Sequence, residues 1–326
     1  MFDVLTIGAA TRDVFVKSKH FERIPSESAP DGWNACLPLG AKIPIDELVF
    51  ETGGGATNAA VTFRRFGLKT ACVSRVGEDT GGREIVAQLK QERVNASGVE
   101  TDQQARTGYS IILLAGTGHR TILVARGASE HLEKNTIHWN RLRSRWIYLT
   151  SVAGDAIVLK KIFSHVKRQQ TRIAWNPGNA EIELGLKKLL PHVLQTDVLL
   201  LNREEAAELS DCSPRDLHCI FKTLGSLPRL VFVLTDGSRG AYAHTRGMMW
   251  HAPVMKGKIL NTAGAGDAFG SAFVATLLQH GDITTALQAG TLNAFSVVRH
   301  MGAKRGILER APTKQKMARV KVKIIA

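Results

Sequence analysis

The stretch NTAGAGDAFG, Asn261 to Gly270, places a single carboxylate, Asp267, directly after a run of glycines and alanines. Small residues let the backbone turn so that the amides of Ala263, Gly264, Ala265 and Gly266 face one point, and the run DAFGSAFVATLLQH that follows is helical in character. An anion is expected at that helix start. A carboxylate beside an anion hole repels a bound phosphate unless the reaction needs a base there, one that takes a proton from a hydroxyl as it attacks a phosphoryl group. Asp267 is the candidate base, although on this stretch alone it is equally a helix cap. A dinucleotide fingerprint does not fit, because the spacing is G-x-G-x-x-x-G and the stretch lies far from the first βα unit.

A second glycine-rich turn, ETGGGATNAAVTFRRFG from Glu51 to Gly67, also leads into a helix. Gly54 and Gly55 allow close approach, and the Asn58 amide can meet hydroxyls as donor and as acceptor, which suits a polyol. Near the start of the chain, GAATRDVF sets Thr11 and Asp13 just after the first apolar run, where a carboxylate can accept from two neighbouring hydroxyls. Taken singly, Asp13 reads as a turn residue.

The elements that must position these groups are legible as an alternation. The β-rich runs DVLTIG, TACVSRVG, RWIYLTS, TRIAWNPG, DVLLLN and LVFVLTDG are each followed by a segment with helical periodicity. This predicts an α/β fold, a mainly parallel sheet flanked by helices on both faces, with ligands above the carboxyl ends of its strands. Two segments break the rhythm, about 13–52 and 107–124, and read as strands without helices. In the second, GTGHR is a glycine-rich turn between β-branched runs, so a small antiparallel sheet is expected to project as a lid. Trp33 falls in the lid insertion, where it either packs the lid or stacks on a substrate ring.

With 43 Lys and Arg against 29 Asp and Glu, the net charge is +14. The basic groups are scattered, without aromatic interleaving or a recognisable nucleic-acid motif, so they are read as solvated faces and no nucleic-acid partner is expected. No apolar run is long enough to cross a bilayer, and no membrane association is expected. The opening residues, MFDVLTIGAA, read as a strand rather than a leader, which points to the cytoplasm. Cys36, Cys72, Cys212 and Cys219 show no C-x-x-C pairing and are expected as free thiols. The histidines lack ligand spacing, so neither zinc nor redox chemistry is expected.

Together, Gly53-Gly54-Gly55-Ala56-Thr57-Asn58 with Gly67 and Gly77, and Asn261-Thr262-Ala263-Gly264-Ala265-Gly266-Asp267, resemble the two signatures of the ribokinase-like, or PfkB, family of sugar and nucleoside kinases. The resemblance covers the whole chain, 1–326, and implies one ribokinase-like kinase domain. It makes Asp267 the catalytic base and Ala263 to Gly266 the anion hole. It further implies that Asn202 and Glu205 of LLLNREEAAEL organise Mg2+ through water. On the residues alone, those two form a helix N-cap and capping box. Thr235 and Gly237 of LTDGSRGAY are similar to a nucleotide-binding turn, Asn293 is placed near the adenine, and Gly302 beside a cation loop. The implied cofactors are ATP and Mg2+, with a monovalent cation such as K+ a further candidate.

Two positions depart from the family pattern: Asn261, where many members carry an acid, and Gly55, where ribokinases commonly carry lysine. The expected activity is ATP-dependent phosphorylation of a primary hydroxyl of a sugar, with a nucleoside as the alternative acceptor and a catalytically silent nucleotide-binding regulator as a remoter one. An exposed lid edge would allow homodimerisation.

Overall fold

Alternate residues of each core strand face opposite sides of one sheet, and both sides are apolar. The computed structural model describes residues 1–26, 32–115, 119–134 and 137–325. Its strands are β1 (Phe2–Ile7), β2 (Thr11–Lys17), β3 (Glu22–Pro25), β4 (Trp33–Cys36), β5 (Glu47–Gly53), β6 (Thr70–Gly77), β7 (Asn95–Asp102) and β8 (Gly108–Ala115). They continue as β9 (His119–Ala125), β10 (Ser144–Leu149), β11 (Arg172–Trp175), β12 (Val198–Asn202), β13 (Val231–Thr235), β14 (Ala241–Thr245), β15 (Met248–Ala252) and β16 (Lys323–Ile324). The helices are α1 (Gly55–Arg65), α2 (Thr80–Gln91), α3 (Ala156–Gln169), α4 (Asn179–Ile182) and α5 (Leu186–Val193). After them come α6 (Arg203–Ser210), α7 (Leu217–Leu224), α8 (Ala265–His280), α9 (Ile283–Val297) and α10 (Lys314–Met317).

Ten strands form the main sheet in the order β16-β15-β14-β13-β12-β11-β10-β1-β6-β7. Every pair from β13 to β7 is parallel, and β14 to β16 close one side as antiparallel strands. The period-two alternation of the strands sorts their side chains between two cores. Leu5, Ile7, Ile147 and Leu149 join Phe163, Val193 and Phe221 on one face. Val4, Trp146 and Tyr148 join Phe63, Phe269, Phe273 and Leu287 on the other. Burial on both faces is what a parallel sheet needs, and it explains runs such as VLLL in β12.

The smaller sheet, ordered β5-β2-β8-β9, stands where the rhythm breaks. Its pairs β2–β5 and β8–β9 are antiparallel, and a parallel β2–β8 seam joins them. The tip of the β8–β9 hairpin, Gly116 to Gly118, lies outside the described residues. On the inner face of this sheet Phe15, Ile112 and Leu114 pack with Ala263, so the lid rests directly on the turn before α8. Strands β3 and β4 form a separate two-stranded sheet.

One expectation is corrected. Cys212 and Cys219 are joined in a disulfide across the α6–α7 connection, while Cys36 and Cys72 remain thiols. The C-x-x-C criterion missed this pair because the two cysteines are seven positions apart, on either side of a turn that folds the chain back. No helix among the described residues is long and apolar enough to cross a membrane.

Candidate active site

Strands β1, β6, β10, β12 and β13 all end at one edge of the sheet, and the two glycine turns converge on it. The turn before α8 depends on Gly264, its N-cap, at φ 77° and ψ −2°. A Cβ on Gly264 would lie 2.6 Å from the Cβ of Ala303, so glycine is needed both for the left-handed backbone and for the close approach. A Cβ on Gly266 would meet nothing within 4 Å, which marks the open side of the turn.

Of the four amides expected to form the anion hole, Ala263 N–H donates instead to Asn261 Oδ1 at 2.9 Å, and Ala265 N–H to Thr262 O at 3.3 Å. Gly264 and Gly266 N–H find no acceptor among the described residues. Only two of the four amides are therefore open to an anion, and Ala263 braces the turn instead. Asn261 explains why an acid is dispensable at that position: its neutral carbonyl oxygen holds the turn.

Asp267 follows in the first turn of α8 and is partly buried. Asn58 Nδ2 donates to Asp267 Oδ2 at 2.8 Å, bringing the two signatures together. Burial pushes the Asp267 carboxyl up from its ordinary range, opposed by the Asn58 bond and the positive charge of Lys304. Asp13 is buried as well, and burial likewise raises it. Thr11 Oγ1 donates to its Oδ1 at 2.8 Å, and Ser110 and Lys304 also favour its charged form. A Cβ on Gly53 would fall 1.9 Å from Asp13 Oδ2, so the first glycine of the signature is the floor beneath this carboxylate. Thr11, Asp13, Asn58 and Asp267 thus belong to one site. Gly54 begins α1 at φ 92°. At Gly55, Thr150 Cβ lies 3.0 Å from where a Cβ would be, so the chain just after β10 packs closely against this glycine.

On the other side of α8, Asn202 and Glu205 form a complete capping box at the start of α6. Asn202 Oδ1 accepts from Glu205 N–H at 2.8 Å, and Glu205 Oε2 from Asn202 N–H at 2.8 Å. Burial, with Glu204, Asp267 and Glu208 nearby, moves the Glu205 carboxyl up to about 7. The capped Glu205 lies within electrostatic reach of Asp267.

Thr235 ends β13, paired across the sheet with Asn202, and Gly237 opens the turn after it at φ 50°. Arg203 pairs with the buried Asp236, which fastens α6 to that turn. Asn293 is corrected: it is fully buried, its Nδ2 donates to Ala268 O at 2.9 Å, and its Oδ1 accepts from Leu308 N–H at 3.0 Å. It is a strut between α9 and α8 rather than a contact for a base. The periodicity of α9 could not say which face pointed inward. Gly302, at φ 106°, packs against Glu51. Trp33 lies on the β3–β4 sheet, half exposed, with the Arg23 guanidinium 5.4 Å from the centre of its ring.

Two residues at the site carried no sequence signal. Lys304 is buried among the acids, and Arg120 of β9 donates from the lid to Thr262 Oγ1 on the turn before Asp267. Lys304, beside Arg305, and Arg120 read as ordinary basic residues in a strongly basic chain. A cavity of about 830 Å³ opens at the opposite end of the sheet, beside Arg145, Trp146 and Arg246, and holds none of the motif residues.

The profile of the "pfkB family carbohydrate kinase" matches residues 35–310. The chain is similar to a ribokinase of Haemophilus influenzae, 25% identical over 271 residues, covering 81% of this chain and 85% of that protein. Among solved structures, an Arabidopsis thaliana ribokinase complexed with ribose and ATP aligns at TM-score 0.75 and 18% identity, over 98% of both chains. A Burkholderia thailandensis nucleoside kinase in complex with inosine aligns at TM-score 0.76 and 16% identity, over 97% of both. The fold is ribokinase-like, and the chain belongs to the pfkB family of carbohydrate kinases, phosphotransferases that act on hydroxyl groups.

Proposed function

We propose that the protein transfers the γ-phosphoryl group of ATP to a primary hydroxyl of a sugar. The observation that carries this reading is Asn58: its Nδ2 is bound to Asp267, and its Oδ1 is buried with no donor among the described residues. A buried carbonyl oxygen left unpaired fits a ligand hydroxyl, and it holds that hydroxyl beside the carboxylate. Asp13, with Thr11 and Ser110, offers a second anchor for a polyol.

In the transfer, Asp267 takes the proton of the acceptor hydroxyl while its oxygen forms a bond to the γ-phosphorus. The bond from that phosphorus to the bridging oxygen breaks, and ADP leaves with the electron pair. The Gly264 and Gly266 amides face the charge on the transferring oxygens. Among the described residues no three His, Cys, Asp or Glu side chains form a metal cage. Glu205, with one oxygen outside the capping box, suits a cation that keeps its waters and takes its other ligands from phosphates. Glu205 would hold such a Mg2+ ion through its waters, and the ion would supply positive charge against the phosphates.

A sugar is preferred to a nucleoside because Asp13 and Ser110 share the inner lid face, whereas Arg12 and Tyr109, paired in the same ladder, point to the outer one. Phe15 on this face is fully buried, and its exposed part is aliphatic, Ile122 and Val124 of β9, so the described residues offer no aromatic stacking surface for a nucleobase. The outer face exposes Leu48, Phe50, Ile111 and Leu123, a surface on which two lids would pair as a homodimer. Sedimentation of Phe50→Asp as a monomer beside a dimeric wild type would support this, and an unchanged state would end it.

The reading is tested by ADP release with ATP and Mg2+ across ribose, fructose, other hexoses, adenosine, cytidine and inosine, compared by kcat/KM. A nucleoside exceeding every sugar tenfold would establish the nucleoside kinase instead. No acceptor above the water background would leave a nucleotide-binding regulator.

A further inference from the structure

Lys304 sits in the loop after α9 and is 3% exposed. Lysine is almost never buried so completely unless it is paired. Its Nζ donates to Thr52 Oγ1 at 2.8 Å, and Thr52 immediately precedes Gly53, the floor beneath Asp13. Its neighbour Ala303 is the residue packed against Gly264. The loop thus wedges Lys304 between the base of the lid and the turn carrying Asp267.

The groups whose charge reaches the ammonium are Asp13 from β2, Glu51 from β5, Cys72 from β6 and Asp267 from α8; the hydrogen bond to Thr52 and the Ala303–Gly264 contact seat it between the elements that carry the two aspartates. Glu51 has its own cation in Arg305, and burial pushes the Cys72 thiol up to about 11, which keeps it neutral. The charges left to Lys304 are the two carboxylates of the proposed reaction. Asp13 accepts from several hydroxyls at once best when ionised, and Asp267 must be ionised to take a proton. In a space of low dielectric, each raises the other's cost of ionisation.

We propose that Lys304 is a positioning residue that keeps Asp13 and Asp267 ionised together, so that acceptor binding and proton removal operate at the same pH. This role rests on the kinase reading above. Burial lowers the Lys304 ammonium to about 8 against the pull of its carboxylates, so the positive charge is lost as pH rises through that value. Turnover should fall on the alkaline side near pH 8.

The test compares wild type, Lys304→Met and Lys304→Arg. In the resting protein, carbon-13 titration of the aspartate carboxyls should show Asp13 and Asp267 moving to higher pH in Lys304→Met and staying near wild type in Lys304→Arg. In turnover, Lys304→Met should lose at least about tenfold in kcat, shift its acid limb upward and lack the alkaline limb. Lys304→Arg should keep activity to higher pH, since guanidinium does not titrate there. Unchanged carboxyl titrations in Lys304→Met would overturn the proposal. Should Lys304→Met fail to fold, Lys304→Arg still decides, because an alkaline limb remaining at pH 8 would refute it. Because the carboxyl titration needs no turnover, it reads Lys304 even if no acceptor is phosphorylated, and the two readings fail separately.

Discussion

Asn58 Nδ2 lies 2.8 Å from Asp267 Oδ2, a bond between residues 209 positions apart that fixes the start of α1 against the start of α8. A hydrogen bond to the charged form of a carboxyl lowers its pKa, so Asn58 counteracts the effect of burial on Asp267. Asn58→Leu keeps the volume and removes both donor and acceptor. Its acid limb in kcat/KM should move to higher pH, and the acceptor KM should rise about tenfold or more. An unmoved acid limb would show that the bond is structural only.

Asp267→Asn preserves the shape of the side chain and its bond to Asn58 but cannot take a proton. Turnover should fall about a hundredfold or more, with the melting temperature and nucleotide affinity close to wild type. If the residue were chiefly a helix cap, stability would fall while turnover per folded molecule persisted, and a thermal melt run beside the assay separates the two.

Two glycines of the same turn should respond in opposite ways. At Gly264 the backbone is left-handed and Ala303 is in the way, so Gly264→Ala should cost about 2 kcal/mol or more of stability. At Gly266 there is no steric neighbour, so Gly266→Val should fold with nearly the wild-type melting temperature. Its side chain would occupy the place where a phosphoryl group approaches the free amides, and ATP affinity and turnover should both drop. Normal turnover in Gly266→Val would remove the anion hole from this turn.

What the sequence made legible follows from how local each signal is. Strand runs bounded by Gly, Asn and Thr, and glycine turns leading into helices, are read from neighbours in the chain, and β1, β6, β12, β13, α1 and α8 lie where those signals fall. Asp267 and Asn58 were legible one at a time, each from its own turn, but their bond was not. Lys304 gave no signal because the charges that reach it come from β2, β5, β6 and α8, and its hydrogen-bond partner is Thr52, none of them adjacent to it in sequence. Asn293 misled for the same reason: a polar residue on a nearly all-apolar helix reads as a ligand contact until Ala268 O and Leu308 N–H are found on either side of it.

The last prediction concerns Glu205, whose carboxyl is pushed by burial up to about 7 in the folded protein and returns to its ordinary value of 4.5 when unfolded. Between those values the folded state holds a proton that the unfolded state has released. Folding stability must therefore fall as pH rises through this window. The group's contribution is intact below about pH 4.5 and lost by pH 8, and a shift of this size corresponds to roughly 3 kcal/mol as an upper limit. Glu205→Gln keeps an oxygen for the Asn202 N–H and carries no charge to bury, so the cap survives. Its melting temperature should match wild type at pH 4.5 and exceed it at pH 8, provided Mg2+ is absent from both. With ATP present, the same variant should need more Mg2+ for half-maximal activity, because a charged acceptor for metal-bound water is gone. Equal melting temperatures at pH 8 would mean that Glu205 is already ionised there without penalty, and an unchanged Mg2+ titration would return it to the capping box alone.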